Sequence, residues 1–107
     1  MASIDLNEDS DGSTCPAVVG DEITLTLDET PTSGYRWAVD SIDLALLEPA
    51  ADEYEPPDPG RLGGKGSHHW TFRVVGPGTT VLRLVLKRAW DADSAVSSFE
   101  ATIDASD

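Results

Sequence analysis

The sequence predicts an all-β protein, an antiparallel sandwich of immunoglobulin-like character. Short runs in which apolar and polar residues alternate recur along the chain, and loops rich in Gly, Pro and Asp separate them. No stretch has the period of a long amphipathic helix. Cys15 is the one cysteine, so packing rather than an internal disulfide must hold the fold, and the sandwich is not of the antibody type.

The alternating runs mark the strands and their inward faces. Because successive side chains of a strand point to opposite faces, every second residue of a run faces the core. We therefore expect Trp37 and Trp70 in the core. The inward positions of the runs are Ile23, Leu25 and Leu27; Tyr35, Trp37 and Val39; Trp70, Phe72 and Val74; Leu82, Leu84 and Leu86; and Phe99, Ala101 and Ile103.

Length and composition indicate a single domain with a lead-in. We expect residues 1–20 to be loosely ordered, with room for a short first strand, and residues 21–107 to form the sandwich. The stretch SIDLALLEP fits either a short strand or a helical turn. Residues 50–66 are rich in Pro and Gly and are predicted to form one long loop, of the kind that is usually functional or disordered.

The charge balance argues against two classes of partner. Twenty Asp and Glu against seven Lys and Arg give a formal charge of -13, which repels nucleic acid and anionic membranes. Such a surface suits a salt-rich cytoplasm, where screening weakens the repulsion between carboxylates. The excess of Arg over Lys and of Asp over Glu favours the same interpretation, with genomic base composition as the alternative explanation for that excess. No signal-peptide pattern and no run of 18 apolar residues occur, so we expect a cytoplasmic protein, with secretion open if a leader has been removed. We also expect a monomer.

The sequence contains no complete catalytic or metal-binding motif of the kinds considered below. A phosphate-binding loop would need Gly at Pro59 and Ser or Thr at Gly66. His68 and His69 are neighbours in a predicted strand, so they face opposite ways and cannot hold one metal. No G-x-S-x-G motif occurs, and Cys15 lies in the predicted lead-in without a cation to activate it. We predict no enzyme, no metal and no cofactor.

Three loops carry a resemblance to a known family. Their order and spacing over about residues 20–104 resemble those of the chagasin family, proteinaceous inhibitors of papain-like cysteine proteases. The sequence departs from the family's N-P-T-T-G, L-G-x-G-G and R-P-W motifs by Thr30 for Asn, Ser33 for Thr, Lys65 for Gly and Ala89 for Pro. The matching residues are Thr30, Pro31, Thr32, Ser33 and Gly34; Leu62, Gly63, Gly64, Lys65 and Gly66; and Arg88, Ala89 and Trp90.

The resemblance implies a reversible, non-catalytic inhibitor. The three loops would form a wedge that occludes the active-site cleft of a papain-like cysteine protease, with Thr32 near the catalytic cysteine. The Gly-rich loop would approach through its backbone, and Trp90 would stack on the cleft wall beside Arg88. We expect Tyr54 to anchor the long loop to the sandwich. The alternative is an immunoglobulin-like binding or adhesion module without protease inhibition.

Overall fold

Two β-sheets make up the part of the chain that the computed structural model describes, residues 3–29, 34–56, 66–88 and 95–107. Its strands, in chain order, are β1 (Ser3–Leu6), β2 (Thr14–Val18), β3 (Glu22–Glu29), β4 (Tyr35–Ser41), β5 (Leu47–Glu55), β6 (Gly66–Val74), β7 (Gly78–Arg88) and β8 (Ser97–Ser106). A 3₁₀ turn at Glu8–Ser10 lies between β1 and β2. Sheet A has the order β1-β3-β6-β5, and sheet B has the order β2-β8-β7-β4.

The core lies between the two sheets, where the inward positions of their central strands meet. Ile23, Leu25, Leu82, Leu84 and Ile103 are completely shielded from solvent. In β3, β6 and β8 the alternation that predicted the strand also predicted its buried face, because a half-buried strand must keep its apolar residues in one phase. In β4 the predicted inward residue Val39 is 38% exposed. Within the described residues, no helix is long and apolar enough to cross a bilayer.

The two predicted core tryptophans differ in burial. Trp70 is buried on β6, as predicted. Trp37 is only partly buried, although it packs against the core cluster, because β4 is the edge strand of sheet B. Its indole Nε1–H donates to the backbone oxygen of Asp28, 2.9 Å away.

The first residues of the chain depart from the predicted loose lead-in. The expected short strand is present as β1, but residues 14–18 add β2 to the opposite sheet. Both strands pair in parallel, β1 with β3 and β2 with β8, whereas the sequence predicted antiparallel strands. Side-chain alternation is the same in both directions, so the pattern carries no information on direction.

The predicted loop over residues 50–66 is wrong at both ends. Residues 50–55 belong to β5, and Gly66 already pairs with Glu29 in β6. The loop was predicted from the Pro and Gly content of residues 50–66, but the Pro and Gly residues of this range all lie after Glu55, where β5 ends. β5 lies at the edge of sheet A and its register shifts between Pro49 and Ala51, which is where a sheet tolerates proline.

Candidate functional site

Three chain segments leave the sandwich at one end, which we call the loop end. In sheet A, β3 finishes at Glu29 opposite Gly66, the first residue of β6, and β5 finishes at Glu55 opposite Ser67. In sheet B, Tyr35 at the start of β4 pairs with Arg88 at the finish of β7. The stems of segments 30–33, 57–65 and 89–94 therefore lie together.

Two hydrogen bonds join the sheets at the loop end. The backbone N–H of Trp37 donates to Oε1 of Glu29 over 2.7 Å, and the Trp37 indole donates to the Asp28 carbonyl. Both bonds run from β4 of sheet B to β3 of sheet A, and their acceptors, Glu29 and Asp28, are neighbours in the sequence. The flanks of segment 30–33 are thereby held to each other.

Glu29 is a buried carboxylate, with 2% of its surface exposed. Such a group is stable inside a protein only when it is paired and hydrogen-bonded. Besides the Trp37 amide, it contacts Nη2 of Arg36 at 3.5 Å and Nδ1 of His68 at 3.2 Å through Oε2. The negative charge of Glu29 therefore has partners in both sheets, Arg36 in sheet B and His68 in sheet A.

His68 lies between two carboxylates. Its Nδ1 faces Glu29 and its Nε2 contacts Oδ1 of Asp52 on the neighbouring edge strand. The ring stacks on Trp70, with ring centroids 3.9 Å apart and planes 4° from parallel. We refer to Glu29, Arg36, Asp52 and His68 as the His68 cluster.

A groove opens beside this cluster between the edge strands of the two sheets. It has a volume of about 570 Å³, and its lining combines cationic, acidic and aromatic side chains. Arg36 lies over the ring of Tyr54, with Cζ 5.7 Å from the ring centroid. The other lining residues are Trp37, Ala38, Asp52, His68 and Lys87.

Tyr54 packs on Gly66. A Cβ atom at Gly66 would overlap the hydroxyl and ring carbons of Tyr54, so this position needs glycine for packing within the chain. Tyr54 therefore holds the two stems of segment 57–65 together, in agreement with its expected anchoring role. The structure gives an internal reason for glycine at this position, and the expected close approach of Gly66 to a partner stays a prediction.

The structure describes three of the predicted binding residues. Gly34 has a φ of 82°, the left-handed conformation that glycine adopts without strain. Gly66 is buried, and Arg88 is exposed with its Cζ 5.0 Å from the Tyr35 ring centroid. The remaining ten lie outside the described residues: Thr30, Pro31, Thr32, Ser33, Leu62, Gly63, Gly64, Lys65, Ala89 and Trp90.

The sequence reasoning missed Glu29 and His68, although a signal for both was present. Glu29 continues the inward phase of Leu25 and Leu27, and His68 precedes Trp70 in the inward phase of β6. Two ionisable residues at inward positions of paired strands indicate a buried ionic contact. His69 points to the other face, as predicted, where it contacts Thr26 at 3.0 Å.

Cys15 is a buried side chain of β2 and not part of a loose segment. Burial, and then the nearby Asp21 carboxylate, raise the pKa of the Cys15 thiol above its ordinary value. A raised pKa lowers the thiolate fraction and with it the reactivity of the sulfur. Among the described residues, no group of three or more His, Cys, Asp or Glu side chains is arranged to hold a metal ion.

The chain belongs to the chagasin family of peptidase inhibitors. The family model described as Chagasin family peptidase inhibitor I42 matches residues 17–103. Chagasin from Trypanosoma cruzi is 28% identical over 88 residues, which cover 78% of this chain and 79% of chagasin. Amoebiasin-1 from Entamoeba histolytica is 31% identical over 87 residues, or 79% of this chain and 82% of that protein. Membership confirms the predicted family and the non-enzymatic class.

Solved structures share the fold over nearly the whole chain. The cysteine protease inhibitor EhICP2 from Entamoeba histolytica has a TM-score of 0.89 at 23% identity, covering 99% of this chain and 97% of that one. Amebosin has a TM-score of 0.76 at 27% identity, with 96% and 97% covered. PbICP-C, solved in complex with falcipain-2, has a TM-score of 0.69 at 13% identity, with 99% and 100% covered. The predicted immunoglobulin-like sandwich is confirmed.

Proposed function

We propose that this protein is a reversible inhibitor of papain-like cysteine proteases that occludes the active-site cleft with its loop end. The observation that carries the proposal is the family match over residues 17–103, which includes all three loop motifs. One structural relative is a cysteine protease inhibitor, and another was solved in complex with falcipain-2. Both relatives have the same sandwich.

The arrangement of the strands supports the role of the loops. The stems of all three motif-bearing segments meet at one end of the sandwich, so the segments start from neighbouring positions. Two sheets joined by the Glu29–Trp37 hydrogen bond provide a rigid base. A rigid base lowers the entropy lost on binding and so favours tight association.

The predicted contacts follow from residue chemistry. Pro31 restricts the first segment before binding, and Trp90 beside Arg88 has the composition of an interface hot spot. Thr32 would lie against the catalytic cysteine of the protease. Ala89 lacks the fixed φ of the proline in the family motif, which weakens pre-organisation by roughly 0.4–1 kcal/mol.

An inhibition titration tests the proposal. The protein would be titrated against papain and a cathepsin L-type protease, at low and at high salt, with the residual activity followed on a peptide substrate. We expect stoichiometric, reversible inhibition without cleavage of the inhibitor. Absence of inhibition at micromolar protein, together with binding to a catalytically inert protease, would instead support the binding-module alternative.

A further inference from the structure

We propose that Glu29 and His68 are positioning residues of the loop end, and that affinity for the protease depends on the protonation of His68. This inference rests on the proposed inhibitory function, which it deepens. Its basis is the position of the His68 cluster, which joins the strands that flank segments 30–33 and 57–65.

The first step concerns segment 30–33. Glu29 directly precedes this segment, and Trp37 follows it shortly after the turn at Gly34. The 2.7 Å hydrogen bond from the Trp37 amide to the Glu29 carboxylate therefore sets the distance between the two flanks of the segment. Movement of the Glu29 side chain would release that constraint, because the bond crosses from one sheet to the other.

The second step concerns segment 57–65. His68 lies two residues after Gly66 on β6, and Asp52 lies on β5, so these strands are the two stems of the segment. One imidazole ring contacts Asp52 with Nε2 and Glu29 with Nδ1. A single side chain thus links the stems of both segments.

The third step concerns the proton. A carboxylate accepts hydrogen bonds but donates none, so both ring nitrogens of His68 can donate at once only in the imidazolium form. With His68 protonated, two carboxylates meet two cations, since Arg36 also contacts Glu29. A neutral ring would turn a lone pair towards one of these carboxylates.

The surroundings of His68 strengthen this dependence. Glu29 of β3 contacts one ring nitrogen, and Asp52 of β5 contacts the other. The ring of Tyr54, also on β5, lies edge-on to the imidazole. Arg36 of β4 contacts Glu29. Lys87 of β7 lines the same groove, and the apolar ring of Trp70 covers one face of the imidazole. The side chain of Glu29 is fully shielded from water, so a neutral ring would keep its Nδ1–H directed at Glu29, and the contact with the more exposed Asp52 would be the one lost.

The expected direction follows. At acidic pH the cluster is complete and the loop stems are fixed in their binding geometry. When the pH rises and the ring loses a proton, one of its two carboxylate contacts is lost and the stems gain freedom. The fraction of molecules ready to bind then falls, and the apparent affinity falls with it.

The experiment compares dissociation constants for catalytically inert papain at acidic and at alkaline pH, from about pH 5 to about pH 8. His68→Gln is measured against the unmodified protein at each pH, so that the titration of papain itself cancels in their ratio. We expect His68→Gln to bind about tenfold more weakly at the acidic end, because it lacks a charged hydrogen-bond donor. The ratio should become smaller towards the alkaline end, because the unmodified protein then loses one of the two carboxylate contacts of His68.

His69→Gln is the matched control, since His69 is the neighbouring residue on the outer face of the same strand. Its ratio should stay near unity at every pH. A ratio for His68→Gln that does not change with pH, or the same profile for both variants, would overturn the proposal. If His68→Gln does not fold, Glu29→Gln replaces it, because the amide oxygen still accepts the Trp37 N–H while the negative charge is removed.

A measurement on the free protein separates this inference from the proposed function. The ¹⁵N shifts of the His68 ring should show both nitrogens protonated at the acidic end of the range. If papain binds but the ring is neutral there, the positioning proposal fails and the inhibitory function stands. If the ring is protonated but papain does not bind at any pH, the inhibitory function fails and the affinity claim falls with it.

Discussion

Gly66 shows how one residue connects the packing of the sandwich with the geometry of the loop end. Its backbone pairs with Glu29, and its missing side chain leaves the space that Tyr54 fills. Its φ is not positive, so the need for glycine arises from this contact and not from the backbone conformation. The contact joins the stems of segment 57–65 without any charge.

Gly66→Ala should therefore destabilise the protein. Overpacking of this kind typically costs about 1–3 kcal/mol of the free energy of unfolding, because the new Cβ forces a neighbouring group to move. Denaturant unfolding of the variant measures the change. In a Tyr54→Ala background the same substitution should have a much smaller effect, and an equal loss in both backgrounds would contradict this account.

Glu29 and His68 show what sequence reasoning could have found at the residue scale. Both continue an inward phase that was recognised for their apolar neighbours, so their burial was predictable from position alone. Their mutual contact was not, because strand pairing between β3 and β6 and its register come from the tertiary fold. The sequence therefore predicted the face on which each residue lies and missed the cluster they form.

At the scale of elements, β3, β4, β6, β7 and β8 were all predicted from period-two alternation. β5 was missed because it is an edge strand with most of its residues exposed, so its sequence shows no apolar alternation. β2 was missed for a different reason: its apolar inward residues are the small side chains of Cys15 and Ala17. Hydrophobic patterning detects strands with large inward residues and overlooks both of these kinds.

The third loop carries the sharpest prediction at this scale. Trp90 lies two residues after Arg88, the last residue of β7, and is predicted to contact the protease rather than the core. Trp90→Ala should weaken binding by roughly 2 kcal/mol, the loss typical of an aromatic hot spot, with the melting temperature nearly unchanged.

Trp70→Ala serves as the core counterpart of this variant, since Trp70 is 3% exposed. It should lower the free energy of unfolding by about 3–5 kcal/mol. A comparable loss of stability for Trp90→Ala, measured by thermal unfolding, would assign Trp90 to the core and remove it from the binding surface.

For the whole molecule, the formal charge of -13 dominates the long-range electrostatics. Within the described residues, several ion pairs on the outer faces of the sheets are exposed; Arg73 with Glu22 at 3.7 Å and Arg83 with Glu100 at 3.5 Å are examples. Exposed pairs of this kind contribute little to stability. Repulsion among carboxylates should therefore outweigh the attraction within these pairs.

Added salt should consequently stabilise the protein. Raising KCl from about 0.05 M to about 1 M shortens the screening length from more than 10 Å to about 3 Å. This screening weakens the repulsion among the carboxylates more than it weakens the attraction within the ion pairs. Denaturant unfolding by urea, an uncharged denaturant, should show a higher midpoint in high salt. A midpoint that falls with salt would mean that attractive ion pairs outweigh the repulsion.

The central claim is that the loop end of the sandwich occupies the active-site cleft of a papain-like protease. Binding should be measured to catalytically inert papain with an open cleft and to papain whose cleft is filled by a covalently attached peptidyl inhibitor. Occupation of the cleft predicts tight binding to the open form and no binding to the filled form. Equal binding to both forms would contradict the claim, because it would place the contact outside the cleft.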